Sequence, residues 1–361
     1  MSADVETPPK NPMGTDGFAF VEYAAPDPAL LRDLFRKLGF PAIGRHKERD
    51  ITLHAQGEIF FIINAEKTGF AAEFASRHGP CACAMGFRVK NAAAASALAV
   101  ERGAKAVMDE DRVVSQPVIE GIGGSRLYLV EGGNGMAAFE RDYDIFPDAD
   151  ELMARWGAGL ELIDHLTHNV YWGNMDKWRD FYGRIFNFGQ IRYFDIKGKL
   201  TGLVSRALAS PDGKIRIPLN ESEDEKSQIN EYLDEYKGEG IQHIALATRD
   251  IYRTVDKLRA NGIDFQDTPD SYYDMIDARL PGHGEPVEEL RRRRILIDGG
   301  EKQGGGFLLQ IFTKNVIGPI FYEIIQRKGN EGFGEGNFQA LFESIEEDQI
   351  RRGYLKTEAA E

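Results

Sequence analysis

The sequence predicts an α+β protein of two domains, each a pair of βαβββ modules that curls into an open half-barrel. Two observations carry that expectation: an internal repeat, and, within each repeat, a change from strand-like alternation to helical spacing. "GFAFVEYAAPDPALLRDLFRKLGF" (17–40) is similar to "DHLTHNVYWGNMDKWRDFYGRIFNF" (164–188), each a short alternating strand, a turn with Asp or Asn, then a helix. Arg32-Asp33 falls on Arg179-Asp180 at an offset of 147. "CACAMGFRVKNAAAASALAVERGAKAV" (81–107) is similar to "IQHIALATRDIYRTVDKLRANGIDF" (241–265) at an offset near 159, again strand, helix and a Gly turn.

Residues 1–15 hold no apolar segment and read as a disordered lead-in rather than a signal peptide. The first domain is expected over 16–153. It opens with the strand and helix of 17–40 and continues into "DITLHAQGEIFFII" (50–63), alternating β-type residues broken at a Gly, which read as a hairpin. The strand and helix of 81–107, followed by "RLYLVEGGNGMAAFE" (126–140), make the second module. The stretch around 147–160, "FPDADELMARWGAG", reads as a linker with a short helix, and the second domain is expected over 154–361. There "LTGLVSRALAS" (200–210), "RRILIDGG" (293–300) and "GGFLLQIFT" (305–313) supply the strands that follow each helix. One βαβββ unit leaves a curved sheet with an open edge, and pairing two units closes it into a cup. Function is expected inside the cup.

Composition narrows the function classes. With 42% hydrophobic and 28% charged residues the chain has the make-up of a soluble globular protein, and no run of eighteen apolar residues suggests a membrane span. The 44 basic and 58 acidic residues give a net charge of −14, which argues against nucleic acid or an anionic membrane surface as the main partner. "RRRR" (291–294) follows "EPVEEL" and is expected to be a locally neutralised helix face. Cys81 and Cys83, the only cysteines, cannot make a disulfide framework, and a reducing cytoplasm fits. Both read as buried thiols.

The repeat serves as an internal control for the polar residues. At an offset of 147 the counterpart of His165 is Phe18, and at 159 that of His243 is Ala84. Glu140 falls roughly where Glu323 does, so a carboxylate is expected to survive in a first half that lacks the histidines. His165, His243 and Glu323 sit on three strands, about eighty residues apart. Two neutral imidazoles and one carboxylate are the facial set of non-haem Fe(II) oxygenases, which leaves three octahedral positions open. Singly, each is more simply a satisfied core residue; together, placed by the repeat, they read as ligands. "IDHLTHNV" also holds His168, but strand alternation turns 165 and 168 to opposite faces, so His168 is expected to be structural. His46, His54, His78 and His283 lie near turns or hairpins and receive no role. In "GFGEGNFQALFESIEEDQIRRGYL" (332–355), Glu335 would repel phosphate and no P-loop Lys follows. The expectation is a glycine hinge ahead of a helix with Phe338, Leu341, Phe342 and Ile345 on one face, able to act as a lid.

"DHLTHNV", "GIQHIAL", "LLQIFT", "FYEIIQR" and "GFGEGNFQALFESIEE" together resemble the 4-hydroxyphenylpyruvate dioxygenase family, two-domain members of the vicinal oxygen chelate (glyoxalase/bleomycin-resistance) superfamily, over about residues 14–355. The resemblance implies that His165, His243 and Glu323 bind Fe(II). It also implies a polar pocket of Ser205, Asn220, Gln228, Gln242 and Gln310, with catalytic roles for the three glutamines. Phe312, Phe333 and Phe338 would form its aromatic walls, with Asn337 in the same C-terminal motif. As the neighbour of His243 in a strand, Gln242 should face away unless a bulge re-aims it. The implied reaction, part of tyrosine and phenylalanine catabolism, converts 4-hydroxyphenylpyruvate and O2 to homogentisate and CO2 by oxidative decarboxylation, ring hydroxylation and side-chain migration. A cytoplasmic homo-oligomer, tetramer or dimer, is implied too, with no nucleic-acid or membrane partner. The rivals are 4-hydroxymandelate synthase, which oxidises the benzylic carbon of the same substrate; an extradiol ring-cleaving dioxygenase, which needs a further His that parity denies; and a non-catalytic binding protein of the same fold.

Overall fold

The computed structural model describes residues 10–133, 135–197, 201–301, 304–337, 349 and 352–353. Of the expected lead-in, residues 1–9 lie outside these. Residues 11–15 are structured, since the Asn11 side chain bonds both the backbone and hydroxyl of Thr15, and Met13 is buried.

In the N-terminal half, β1 (Thr15–Ala24), α1 (Pro28–Leu38), β2 (Ala42–His46), β3 (Ile51–Gln56) and β4 (Ile59–Asn64) complete one βαβββ module. Local chemistry sets α1: the Asp27 side chain accepts from the Ala29 amide, Pro28 opens the helix, and Gly39 ends it in the left-handed conformation. Beyond α2 (Phe70–His78) come β5 (Cys81–Val89), α3 (Ala92–Glu101), β6 (Val118–Glu120) and β7 (Arg126–Val130). This second module falls short of the expected pattern, because Ala106 makes only an isolated bridge to Ile119 where a strand was predicted. Instead β8 (Tyr143–Ile145) crosses to the far edge and pairs with β2. The predicted linker is α4 (Ala149–Trp156).

The C-terminal half repeats the plan with β9 (Leu160–Asn169), α5 (Met175–Phe186), β10 (Gly189–Lys197), β11 (Gly202–Ala209) and β12 (Arg216–Glu221). After α6 (Gln228–Tyr236) follow β13 (Gly240–Thr248) and α7 (Ile251–Ala260). Asp250 caps α7 as Asn91 caps α3, each side chain accepting an amide three residues on. The short helices α8 (Asp270–Asp274), α9 (Ile276–Arg279) and α10 (Val287–Arg293) are inserted before β14 (Leu296–Gly299), β15 (Phe307–Phe312) and β16 (Phe321–Lys328). Arg291, Arg293 and Arg294 around α10 are each paired with acidic side chains, among them Asp274, Asp256 and Asp270, as the preceding glutamates led us to expect of that run.

Among the described residues each half is one eight-stranded sheet, in the orders β6-β7-β5-β1-β4-β3-β2-β8 and β10-β11-β12-β9-β13-β16-β15-β14. Matching the registers corrects the repeat. The β1/β5 ladder pairs Glu22 with Ala84 and skips Cys83; the β9/β13 ladder pairs Thr167 with His243 and skips Gln242. The strand offset is therefore 145, and Phe20, not Phe18, is the counterpart of His165. The helices keep an offset of 147 because two extra residues lengthen the turn between β9 and α5. The parallel pairs Ala84–Arg126 and His243–Phe321 likewise put Tyr128 opposite Glu323. Glu140 lies on an exposed turn and is not the remnant of a site.

The N-terminal cup is filled from within. Phe20 packs against Tyr128 and Phe139 at 5.1 and 6.1 Å between ring centroids, and Phe60 against Phe139 at 4.9 Å. The outer faces of the two sheets share one apolar core, where the Tyr322 and Tyr23 hydroxyls meet at 2.9 Å and Cys81 and Cys83 are buried as free thiols.

Candidate metal centre

Alternation along β9 points His165, Thr167 and Asn169 into the C-terminal cup and His168 away from it. His168 Nε2 bonds the Tyr182 hydroxyl of α5 at 2.9 Å, and burial pushes its pKa down to about 3. His165 and Glu323 flank Ala245, which is register partner to both. Because Ala245 is small, the two longer side chains converge over it. His165 Nε2 and His243 Nε2 lie 3.3 and 3.6 Å from Glu323 Oε2, and the three donor atoms fall within 4.8 Å of one another, all in buried residues.

Two bulges complete the arrangement. The ladder between β9 and β13 skips Asp164 beside His165 and Gln242 beside His243. Each skipped residue is re-aimed onto its neighbour's ring: Asp164 Oδ1 is 2.9 Å from His165 Nδ1, and Gln242 Oε1 is 3.0 Å from His243 Nδ1. Nδ1 is thus a donor on both rings, which turns both Nε2 atoms toward Glu323. The Thr167 hydroxyl, 2.9 Å from His243 Nε2, donates to that nitrogen. The electrostatics favour a cation here. Burial works against charge on His165, but Glu323 and Asp164 outweigh it and hold its pKa above the ordinary imidazole value. Burial, reinforced by His165 and His168, holds His243 far below that value, so it is a neutral imidazole, the form that can bind a metal. Burial also opposes the Asp164 charge, but hydrogen bonds from Arg327 and His165 prevail and keep it ionised. A buried set of two imidazoles and one carboxylate, with both tautomers fixed, fits a divalent metal.

Gln310 is committed at both ends. Its Nε2 donates to Glu323 Oε1 at 2.9 Å, and its Oε1 accepts from Asn337 Nδ2 at 2.9 Å. Asn337 Oδ1 accepts in turn from the Tyr272 hydroxyl at 2.6 Å. Gln310 and Asn337 therefore brace the carboxylate in this structure. Phe333 meets the His165 ring edge-on at 5.3 Å, and Phe312, register partner of Glu323, lies 6.5 Å from the His243 ring. Ser205 and Asn220 are register partners, and Asn220 reaches Asn169 at 3.4 Å, so they line the same concave face. Gln228, at the start of α6, and Gln242 line a cavity of about 570 Å³ that Phe321 and Tyr232 also wall. Phe338 and the rest of the predicted lid face lie outside the described residues. Sequence reasoning missed Asp164, Thr167, Ala245 and Phe321. Phe321 stacks on His243 at 4.9 Å, and its spacing of two residues from Glu323 could have revealed it.

The family model described as Hydroxyphenylpyruvate dioxygenase, HPPD, N-terminal matches residues 9–145, and that of the Glyoxalase/Bleomycin resistance protein/Dioxygenase superfamily matches 162–275. A 4-hydroxyphenylpyruvate dioxygenase of Legionella pneumophila (strain Corby) is 57% identical over 347 residues, which is 96% of this chain and 98% of that protein. A Vibrio vulnificus (strain CMCP6) protein named hemolysin VllY is also 57% identical, over 96% of this chain and 98% of its own length. Among solved structures, a mutant of 4-hydroxymandelate synthase from Streptomyces coelicolor matches with a TM-score of 0.80 and 26% identity, over 93% of this chain and 100% of that one. Fold, site and relatives agree, and the chain belongs to the 4-hydroxyphenylpyruvate dioxygenase family.

Proposed function

We propose that this protein is an Fe(II)-dependent dioxygenase that converts 4-hydroxyphenylpyruvate and O2 to homogentisate and CO2. The observation that carries the reading is the buried His165–His243–Glu323 set with both Nε2 atoms turned inward. Fe(II), if bound, would be held by His165, His243 and Glu323 and would supply the dioxygen chemistry. The protein's own work is to orient and to dry the site. Gln228 and Gln242 line the cavity beside His243, the Gln242 carbonyl already bonded to His243 Nδ1, and their amides bring no charge that would compete for the metal. Phe312 and Phe333 supply ring faces and edges, each contact adding roughly 0.5–1.5 kcal/mol beyond area burial. Gln310 holds Glu323 in place, and Ser205 and Asn220 extend the polar wall.

Catalysis is assigned to the C-terminal domain, 154–361, and a structural role to 16–153, whose cup is packed with Phe20, Tyr128 and Phe139. Assembly as a homo-oligomer, dimer or tetramer, rests on the family; a cytoplasmic location fits the free buried thiols of Cys81 and Cys83. Benzylic oxidation to 4-hydroxymandelate is the second reading, because a synthase of that product shares the fold at 26% identity. Anaerobic titration of the apoprotein with Fe(II) tests the metal assignment. One site per chain is expected, lost in Glu323→Ala; an unchanged titration in that variant would refute it.

A further inference from the structure

The strand that delivers Glu323 continues to Arg327, whose guanidinium makes two connections at once. Nη2 and Nε each lie 2.8 Å from an oxygen of Asp164, a parallel fork onto the carboxylate. Nη1 donates to the carbonyls of Asn330 and Gly332 at 3.0 and 2.6 Å. Both partners lead back to one imidazole. Asp164 holds His165 Nδ1, and Phe333, the residue after Gly332, packs its ring edge-on against His165. His165, Asp164, Arg327, the backbone at 330–332 and Phe333 thus form a closed circuit.

We propose that Arg327 is a positioning residue that sets the His165 ring and the C-terminal segment carrying Phe333 against one another. The proposal rests on the reading of His165 as a metal ligand. Through the same guanidinium, docking of residues 330–333 and the plane of the imidazole are coupled. Any displacement of the segment pulls on the clamp that fixes Asp164, and loss of the clamp frees both. Arg216 Nη1, 3.5 Å from Asp164 Oδ2, supplies a second cation, so charge on Asp164 does not depend on Arg327 alone. What Arg327 adds is geometry, because only a planar fork reaches two carboxylate oxygens and two carbonyls together.

The test compares Arg327→Lys and Asp164→Asn with the unsubstituted protein in two measurements: the Fe(II) dissociation constant by anaerobic titration, and backbone hydrogen exchange over 328–337 in the metal-loaded protein. In Arg327→Lys, Fe(II) binding should weaken by roughly 10–100-fold and exchange over 328–337 should rise. Asp164→Asn, which leaves Arg327 bonded to the two carbonyls, should weaken Fe(II) binding while most protection of the segment persists. Exchange that rises in Arg327→Lys with Fe(II) affinity unchanged would reduce Arg327 to a structural tie and overturn the proposal, as would native values in both measurements. Failure of the unsubstituted protein to bind Fe(II) would instead overturn the metal reading, and this proposal with it.

Discussion

Gly334→Ala is the most demanding substitution for this account of the site. Gly334 has φ of +78°, and a Cβ built on it overlaps Gln310 Oε1 and stands 2.7 Å from Gln310 Cδ. Gln310 has nowhere to retreat, being fully buried with Nε2 on Glu323 and Oε1 on Asn337. Either Gln310 or the segment must move. Displacing Gln310 forfeits a bond to a charged acceptor, about 1.5–3 kcal/mol, and a neutral one of about 0.5–1.5 kcal/mol. The left-handed backbone adds about 1–2 kcal/mol for any residue with a Cβ. The docked segment should therefore lose about 3 kcal/mol or more, while His165, His243 and Glu323 keep their own backbone positions. Substrate-dependent O2 uptake should fall by roughly 10–100-fold with Fe(II) still bound, as expected when the support of a ligand is lost. A variant with native turnover and unaltered thermal unfolding would refute the claim that Gln310 is locked between Glu323 and Asn337.

Two further predictions concern one residue in each half. Ala245→Leu places three extra carbons between His165 and Glu323; the chain should fold but bind Fe(II) at least roughly 10-fold more weakly, and native affinity in metal titration would show that the ligands do not converge over this position. Glu22 is buried with one oxygen on Asn64, and burial, outweighing that bond, raises its pKa from 4.5 to about 7. A raised folded-state pKa means that the folded chain prefers the protonated form. The Glu22 contribution to stability is therefore full below pH 4.5 and is lost as pH rises to about 7, a loss of about 3 kcal/mol relative to Glu22→Gln. Denaturant midpoints of the two proteins should diverge between pH 4.5 and 7.5, and parallel curves would count against the buried carboxylate.

What sequence made legible follows from what period-two alternation and repetition encode. Alternation separated His165 from His168, and the structure gives His168 a Tyr182 hydroxyl on the opposite face. Repetition located the strands that carry His165, His243 and Glu323, but a single offset failed where the turn after β9 grew by two residues, which moved the counterpart of His165 from Phe18 to Phe20. A strict alternation rule also hides a bulge. Asp164 and Gln242 should have faced away from their neighbours, yet one extra residue in the ladder turns each side chain onto the adjacent imidazole. Gln310 was expected in the polar pocket, and the structure holds it between Glu323 and Asn337, partners that its own strand does not reveal. Arg327 and Tyr272 act through partners distant in sequence, Asp164 and Asn337, and no local spacing marks them.

The most direct test is product identity. Apoprotein loaded anaerobically with Fe(II) is mixed with 4-hydroxyphenylpyruvate and then with O2, and the products are identified by mass and chromatography. Homogentisate is the expected product, with one CO2 released for each O2 consumed. 4-Hydroxymandelate as the product, or no O2 uptake by protein carrying iron at His165, His243 and Glu323, would contradict it.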